Sequence, residues 1–495
     1  MLHTAKSSYD IVILGAGFGG LGMAAQLKMQ GIDNFIILER GNRIGGVWRD
    51  NAYPGAACDT ESHLYCYSFY PHLRVSKMYA DRDELLRYMD TLAEHYALMP
   101  HIKLGSELTQ ARWDETAQHW AFELADGARL QGRFFVPAWG QLNKPAIPAF
   151  KGLDNFAGQY FHSAQWPADA QLAGKKVASI GAAASAVQYV PEVAKEAAHL
   201  TVFQRSANWI MPRNQMVFSQ QQLDAYSAQP ELFHESRRDL HAFRENGFAR
   251  TRHGTDAQQE GIKLASAHLA GQVPDLTLRA KLTPDYEFAC KRILRSDDYY
   301  PALTRSNVSL ETTAVDHFVP EGIVDKNGAL HEFDVVIFGT GFESQAFQGD
   351  LEVIGRKGRT LHERWQSGAE AYLGMTVPGF PNMFMIYGPN TNLNHNSIIT
   401  MLEIQQRYII EAVQHLDGQA ADVRDDAFNA YNDALQANMQ SSAFSSDCSS
   451  WYKNAAGKVI NNWSGTVEEY RALANHWHAD DYHLLRVSER AEVTS

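Results

Sequence analysis

A glycine-rich loop near the amino terminus has the residue types and spacing of a phosphate-binding turn. The apolar strand expected at residues 9–14 runs into Gly15, Gly17 and Gly20, and a helical pattern follows. Gly15 permits a tight turn, Gly17 lets the backbone approach a pyrophosphate, and Gly20 lets helix and strand pack closely. Glu39 ends the next expected strand, nineteen residues after Gly20, where a carboxylate accepts hydrogen bonds from both ribose hydroxyls. The pattern predicts a dinucleotide site, because a structural glycine turn alone would not account for Glu39.

A second loop of this kind follows the strand expected at residues 176–180, but it departs from the glycine pattern. Gly181 keeps the first position, whereas alanine occupies the second and third positions at Ala183 and Ala186. Arg205 ends the next strand, where an NAD site would have a carboxylate, and a cation there suits the 2′-phosphate of NADP. The alternative for Arg205 is an ordinary surface arginine. The residues predicted to contact this second nucleotide are Gly181, Ser185, Arg205 and Ser206.

Both loops belong to strand–turn–helix–strand units, which form parallel sheets. Between residues 214 and 289, apolar residues instead recur at helical spacing among many polar ones, which predicts a helical insertion with solvated faces. The strand expected at residues 333–338 then runs into another glycine turn. The predicted fold class is α/β, with two Rossmann-like dinucleotide-binding domains and a helical insertion.

Composition and charge exclude several classes of function. The 495 residues include 44 Lys and Arg against 57 Asp and Glu, a net charge of −13, so binding to nucleic acid or an anionic membrane is not expected. No apolar stretch approaches the length of a membrane span or a secretory signal. Four cysteines without a close pair argue against a disulfide framework and a dithiol redox enzyme. Composition and cysteine usage therefore favour a cytoplasmic enzyme. The C-terminal histidines lack a metal-ligand pattern, so no metal is expected.

Two longer strings are more specific. Residues 46–59 read GxWxxxxYPGxxxD, and residues 156–167 read FxGxxxHxxxWP. Both are similar to fingerprints of the type I Baeyer–Villiger monooxygenases, which belong to the class B flavoprotein monooxygenases. The related N- and S-oxygenating enzymes usually have Tyr or Phe where this chain has Trp166. The resemblance extends from about Tyr9 to about Tyr470.

The resemblance implies FAD at the first loop and NADP(H) at the second. It implies a discontinuous FAD-binding domain at residues 1–145 and 340–495, an NADP-binding domain at 153–213 and 290–339, and the insertion at 214–289. The residues expected to bind the two cofactors are Gly15, Gly17, Gly20, Glu39, Gly46, Trp48, Asp59, Gly181, Ser185, Arg205, Ser206, Lys291, Asn390 and Trp451.

The resemblance also implies an activity. NADPH would reduce FAD, O2 would add to form a C4a-peroxyflavin, and its attack on a ketone would insert one oxygen atom next to the carbonyl, giving an ester or lactone. A guanidinium suits the stabilisation of the anions formed, because it stays charged and does not act as an acid. Arg292 is the candidate catalytic residue, with Asp59 as its anchor. Judged by residue type alone, a structural ion pair for Arg292 and a loop cap for Asp59 are the alternatives.

Two other functions stay open at this level. One is an N- or S-oxygenating flavin monooxygenase. The other is an FAD-binding sensor with a decayed NADP site, which would account for Ala183 and for Trp139, since Trp139 stands where the family usually has Thr. Residues 141–145 are similar to an aryl-ketone-oxidising subgroup, so aryl and cyclic ketones are candidate substrates together with O2. The sequence does not indicate an oligomeric state.

Overall fold

The computed structural model describes residues 6–345 and 347–485. The first five and last ten residues of the predicted FAD-binding domain, and residue 346, lie outside the described residues. Within the described part the strands are β1 (Ser8–Leu14), β2 (Phe35–Leu38), β3 (Ile102–Lys103), β4 (Leu108–Asp114), β5 (His119–Leu124), β6 (Arg129–Pro137), β7 (Gln159–His162), β8 (Lys176–Ile180), β9 (His199–Phe203), β10 (Ile210–Met211), β11 (Leu294–Arg295), β12 (Val308–Glu311), β13 (Val315–Val319), β14 (Gly322–Asp325), β15 (Leu330–Glu332), β16 (Val335–Phe338), β17 (Glu352–Ile354), β18 (Ala420–Val423) and β19 (Tyr482–Leu485).

The α-helices of the described part connect these strands or cover the sheets. They are α1 (Phe18–Met29), α2 (Val47–Asp50), α3 (Arg82–His95), α4 (Ala186–Glu196), α5 (Gln220–Ala228), α6 (Pro230–Asn246), α7 (Asp256–Gln272), α8 (Leu276–Lys281), α9 (Tyr299–Leu303), α10 (Leu361–Arg364), α11 (Ile398–His415), α12 (Asp425–Met439) and α13 (Val467–Leu473). Within residues 6–345 and 347–485, no helix has the length and apolar character needed to cross a bilayer.

The first sheet has seven strands in the order β17-β4-β5-β6-β1-β2-β3. Its centre is parallel, with Ile11 of β1 opposite Phe35 of β2 and Phe134 of β6, and the fully buried β2 explains the apolar run in the sequence. Helix α1 packs on this sheet, and α11 packs on α1, where Gln406 accepts a hydrogen bond from Gln26 at 2.6 Å. Strand β17 comes from the C-terminal part of the chain and pairs with β4 in parallel.

The second sheet has five parallel strands in the order β12-β9-β8-β16-β7. It contains the second glycine loop between β8 and α4. A three-stranded antiparallel meander, β13-β14-β15, closes an aromatic-rich core over one face of this sheet. The two parallel sheets place two strand-to-helix turns in one chain, and the α/β class with two Rossmann-like units is confirmed.

Residues 214–289 form helices α5 to α8, as the polar helical pattern predicted. The insertion begins just after β10 and ends just before β11, and these two short strands pair in parallel through Ile210 and Leu294. Helix α6 docks on the first domain, because Arg237 donates hydrogen bonds to the carbonyls of His63 at 2.7 Å and Cys66 at 2.8 Å. The insertion therefore bridges the two nucleotide domains.

The cysteines differ from the sequence expectation. Cys290 and Cys448 form a disulfide across 158 residues, with their Cα atoms 6.4 Å apart, while Cys58 and Cys66 are free and buried. A pair so distant in sequence leaves no short spacing to recognise, which is why the pattern did not reveal it. The disulfide attaches the C-terminal segment to the residue just before Lys291.

Candidate active site

The first glycine loop has the geometry that its sequence predicted. Gly15 has φ +101°, and a Cβ there would lie 2.7 Å from the carbonyl oxygen of Ala138. A Cβ on Gly20 would lie 1.9 Å from the carbonyl oxygen of Gly15. Both positions therefore exclude any side chain.

Gly17 and Gly46 lie in close backbone contact at the start of α1. A Cβ on Gly17 would lie 3.6 Å from Cα of Gly46, and a Cβ on Gly46 would lie 3.1 Å from Cα of Gly17. The absence of side chains at both positions leaves the N terminus of α1 unobstructed by them, and its N–H groups and the helix dipole favour phosphate. The residues present fit the pyrophosphate of a dinucleotide such as FAD.

Glu39 is 4% exposed and already accepts three hydrogen bonds. Its Oε2 accepts from the backbone N–H of Ala16 at 2.9 Å, and its Oε1 accepts from the N–H of Gly41 and from Arg49 Nη1, each at 2.7 Å. A carboxylate can accept about four hydrogen bonds in total. The remaining acceptor position suits one ribose hydroxyl. The hydrogen bond to the second hydroxyl, predicted from the sequence, requires Arg49 to move away from the carboxylate.

Trp48 lies in the short helix α2, which begins directly after Gly46. Its indole Nε1 donates a hydrogen bond to the Tyr65 hydroxyl at 3.2 Å, and the two rings meet edge to face with centroids 5.7 Å apart. The partly exposed indole is therefore held in one orientation. Its contact with a flavin stays a prediction.

The first glycine of the second loop, like Gly15, leaves no room for a side chain. Gly181 has φ +107°, and a Cβ there would lie 2.3 Å from the carbonyl oxygen of Gly339 at the end of β16. Ser185 lies at the N terminus of α4, and its side chain does not cap that helix. Ala183 is exposed, so its methyl group lies on the open side of the loop rather than in the protein core.

Three of the predicted NADP-binding residues come together beside this loop. Lys291 Nζ donates a hydrogen bond to Ser206 Oγ at 3.0 Å and lies 4.2 Å from the centre of the Tyr286 ring. Partial burial lowers the pKa of Lys291, and the nearby positive charge of Arg205 lowers it further. Within the described residues, neither cation forms an ion pair with a carboxylate. The carboxylate of Asp285 is near enough to raise the pKa of Lys291 in part, without outweighing the other two effects. Two adjacent cations outside any ion pair, together with a hydroxyl group, suit a phosphate.

The structure brings Arg292 and Asp59 together, although they are 233 residues apart in the chain. Arg292 Nη2 donates to Asp59 Oδ2 at 2.6 Å, and the side chains are 33% and 28% exposed. The carboxylate raises the pKa of Arg292 further above its usual range, so the guanidinium stays charged. Burial by itself would raise the pKa of Asp59, but Arg292 outweighs that effect and lowers it. Arg292 is therefore a permanently charged cation paired with an ionised carboxylate, and both side chains border a cavity.

Asn390 and Trp451 lie where the C-terminal segment meets the first domain. The Asn390 amide donates to the carbonyls of Val459 and Asn462, each at 3.0 Å, so it anchors that segment. Trp451 is partly exposed, and its carbonyl accepts a hydrogen bond from Asn461 at 2.6 Å. Asn390 Oδ1 is buried without a partner, which leaves one acceptor unused.

The two fingerprint strings lie at the junction between the domains. Gly55 lies against α4, where a Cβ would approach the carbonyl oxygen of Gln188 to 2.6 Å, and Gln188 also bonds to Tyr53 at 3.0 Å. In the second string, a Cβ on Gly158 would lie 2.4 Å from the carbonyl oxygen of Asp334, and the Trp166 ring packs on Phe161. The first string therefore packs on α4 of the second unit, whereas the second string packs within the second sheet around β7 and β16.

The sequence did not reveal several charged residues of the same cavity. Arg244 of α6 is buried and binds Glu61 through Nη2 at 2.6 Å. Glu245 accepts from His395 Nε2 at 3.1 Å and from the Asn396 amide at 2.7 Å. On a polar amphipathic helix these residues look like a solvated face. Only the docking of α6 on the first domain buries them.

Two features lie outside this site. A cavity of about 480 Å³ beside α3 is bordered by Arg43, Asp90 and Glu94 and contains no predicted site residue. Glu311, Asp325 and His331 bring three possible metal-ligand atoms within 4.8 Å of one another. Asp325 also accepts hydrogen bonds from His331 and from backbone N–H groups of its own turn, which accounts for the cluster as part of the meander.

Comparison with known proteins gives a consistent result. Residues 8–220 match the family described as flavin-binding monooxygenase-like. The chain is 37% identical to a Baeyer–Villiger monooxygenase of Streptomyces coelicolor, over 96% of this chain and 92% of the relative. It is 38% identical to a Baeyer–Villiger monooxygenase of Pseudomonas aeruginosa, over 96% and 91%. A solved steroid monooxygenase bound to NADP superposes with a TM-score of 0.87 at 29% identity, covering 97% of this chain and 100% of that one.

Proposed function

Because the chain belongs to the family of the flavin-binding Baeyer–Villiger monooxygenases, we propose that it oxidises a ketone with O2 and NADPH. One oxygen atom of O2 enters the bond between the carbonyl carbon and its neighbour, giving an ester or lactone. The other leaves as water, while NADPH and a proton supply the two electrons and two hydrogens. The observation that carries the proposal is the Arg292–Asp59 pair, which opens to a cavity at the domain junction.

FAD, when bound, supplies the reaction with O2, which no protein side chain provides. In this proposal the N terminus of α1, beside Gly17 and Gly46, receives its pyrophosphate, and Glu39 receives a ribose hydroxyl. Binding at the N terminus of α1 would orient the cofactor relative to the cavity that contains Arg292.

Arg292 binds the oxygen atoms that become negative during the reaction. Its charge is permanent, so it stabilises an anion without donating its proton to it. Asp59 is a positioning residue, because its carboxylate holds Nη2 of Arg292 at 2.6 Å and limits the rotamers available to that side chain.

Arg205, Lys291 and Ser206 bind the 2′-phosphate and so select NADPH over NADH. Their support is the unpaired positive charge described above. Aryl and cyclic ketones as substrates, and a cytoplasmic location, stay predictions from the sequence.

The test uses purified FAD-loaded protein with NADPH, ¹⁸O2 and a panel of ketones and thioethers. We expect esters or lactones that contain one ¹⁸O atom per NADPH consumed. Sulfoxides without esters would indicate the S-oxygenating alternative instead. A flavin that stays oxidised after anaerobic addition of NADPH would indicate the sensor alternative with a decayed NADP site.

A further inference from the structure

The cavity beside Arg292 contains more positive charge than the proposed reaction requires. It is lined by four arginines, which are Arg244, Arg250, Arg292 and Arg295. Two carboxylates compensate two of them, because Asp59 pairs with Arg292 and Glu61 pairs with Arg244, both at 2.6 Å.

Arg250 and Arg295 are not compensated. Neither forms a hydrogen bond or an ion pair among residues 6–345 and 347–485, although both side chains are partly buried. Burial and the neighbouring Arg244 lower the pKa of Arg295, because both disfavour its charged form. An unpaired, partly buried cation destabilises a protein unless a ligand compensates it.

Other nearby acids are already engaged. Glu245 is bound to His395 and Asn396, and Asp297 accepts backbone N–H groups of Arg213 and its neighbours at 2.8 to 3.1 Å. The surplus in the cavity is therefore about two positive charges.

The dinucleotide does not account for this surplus. Lys291 lies toward Ser206 and Arg205, where a phosphate is expected. Arg295 lies on β11, and the charged and polar groups that influence it are Arg244, Tyr79, Glu61 and Asp59. None of these belongs to either glycine loop. Arg250 and Arg295 therefore lie on the side of the cavity that the helical insertion forms.

The same cavity has an apolar part. Phe243 of α6 is 53% exposed, and together with Met211 and Leu393 it lines the cavity. An apolar wall beside two free cations suits a molecule with a hydrocarbon part and an anionic end.

We propose that the substrate is a ketone that carries a carboxylate, with the carboxylate bound by Arg295 and Arg250 and the carbonyl at Arg292. This inference rests on the proposed function. Arg295 and Arg250 then determine substrate specificity and do not take part in the oxygen transfer.

The experiment compares 7-oxooctanoate with its methyl ester, and 5-oxo-5-phenylpentanoate with its methyl ester. We expect kcat/KM of the FAD-loaded enzyme to be about tenfold to hundredfold higher for each acid than for its ester. In Arg295→Met this ratio should fall about tenfold or more, with a smaller fall in Arg250→Met. Arg295→Lys should recover part of the preference.

Arg238→Met is the matched control, because Arg238 is an exposed arginine of α6, the helix that contributes Phe243 and Arg244 to the cavity, and it pairs with Glu231 at 2.8 Å. It should keep the wild-type ratio. Calorimetric titration of the FAD-loaded enzyme with 7-oxooctanoate should show the same order of affinities among the variants.

Several results would overturn the inference. Esters that react as well as acids would refute the substrate class while leaving ketone oxidation intact. A higher KM for NADPH in Arg295→Met, with the acid preference retained, would assign Arg295 to the dinucleotide instead. If cyclohexanone, acetophenone and all four probes gave no ester or lactone, the proposed function itself would fail.

Discussion

Replacing Asp59 with asparagine removes the charge that holds Arg292 while keeping the size of the side chain. The 2.6 Å contact is a charge-assisted hydrogen bond between side chains that are about one-third exposed or less. Such a bond contributes about 1.5–3 kcal/mol, which corresponds to roughly 10- to 150-fold in rate if it acts only through the position of Arg292. We therefore expect kcat for ester formation to fall by about that factor.

The assay must separate positioning from general damage to the fold. In Asp59→Asn, the KM for NADPH and the melting temperature should change little, whereas NADPH consumed without ester formation should increase. Arg292→Ala should reduce ester formation further than Asp59→Asn does. Because the two residues act as one unit, the double variant should be no worse than Arg292→Ala.

The reasoning is wrong if Asp59→Asn keeps full kcat with tight coupling of NADPH to ester. It is also wrong if the effects of the two single variants multiply in the double variant, since independent residues behave in that way. In either case Asp59 would be a loop residue that only happens to lie beside Arg292.

Three other predictions follow from the structure. Replacing Lys291 or Arg205 by Ala should raise the KM for NADPH about tenfold or more and leave the KM for NADH nearly unchanged, as steady-state kinetics with both nucleotides would reveal. The hydrogen bonds to Glu245 lower its pKa to about 2 despite its burial, so its stabilising effect is present above about pH 4.3 and is lost as the pH falls toward 2. The difference in stability between wild type and Glu245→Gln, up to about 3 kcal/mol from urea unfolding, should therefore shrink with acid, and a constant difference would contradict the assignment. Thiol titration of the denatured, unreduced protein should find the two free cysteines, Cys58 and Cys66, and reduction should raise the number to four.

The local parts of the fold were predictable because they depend on neighbouring residues. The turn at Gly15 and the turn at Gly181 both require φ above +100°, and the glycine pattern showed this directly. The helical insertion was evident from its spacing. By contrast, the pairing of β10 with β11 and of β17 with β4 joins segments far apart in the chain. No local pattern specifies such pairs, since many strands of similar composition could substitute for one another.

The candidate site divides in the same way. Lys291, Arg292 and Asp59 stand in strings that resemble the family, so they could be selected from the sequence. Arg295 stands only three positions later, in the same segment, and nothing in its type distinguishes it from a surface arginine. What distinguishes it is the absence of a counter-ion among the described residues, which is a property of three-dimensional packing.

The overall charge of the protein sharpens the test of the substrate class. A chain of net charge −13 should repel an anionic ketone at long range, so general electrostatic attraction cannot explain a preference for the acid. At physiological ionic strength such long-range fields are screened beyond about 8 Å, while contacts inside a partly buried cavity are screened much less. The acid-to-ester ratio of kcat/KM should therefore change little between about 0.05 and 0.3 M salt if Arg295 and Arg250 bind the carboxylate directly. A ratio that rises steeply with salt would mean that relief of surface repulsion, and not the two cavity arginines, controls the selection of the substrate.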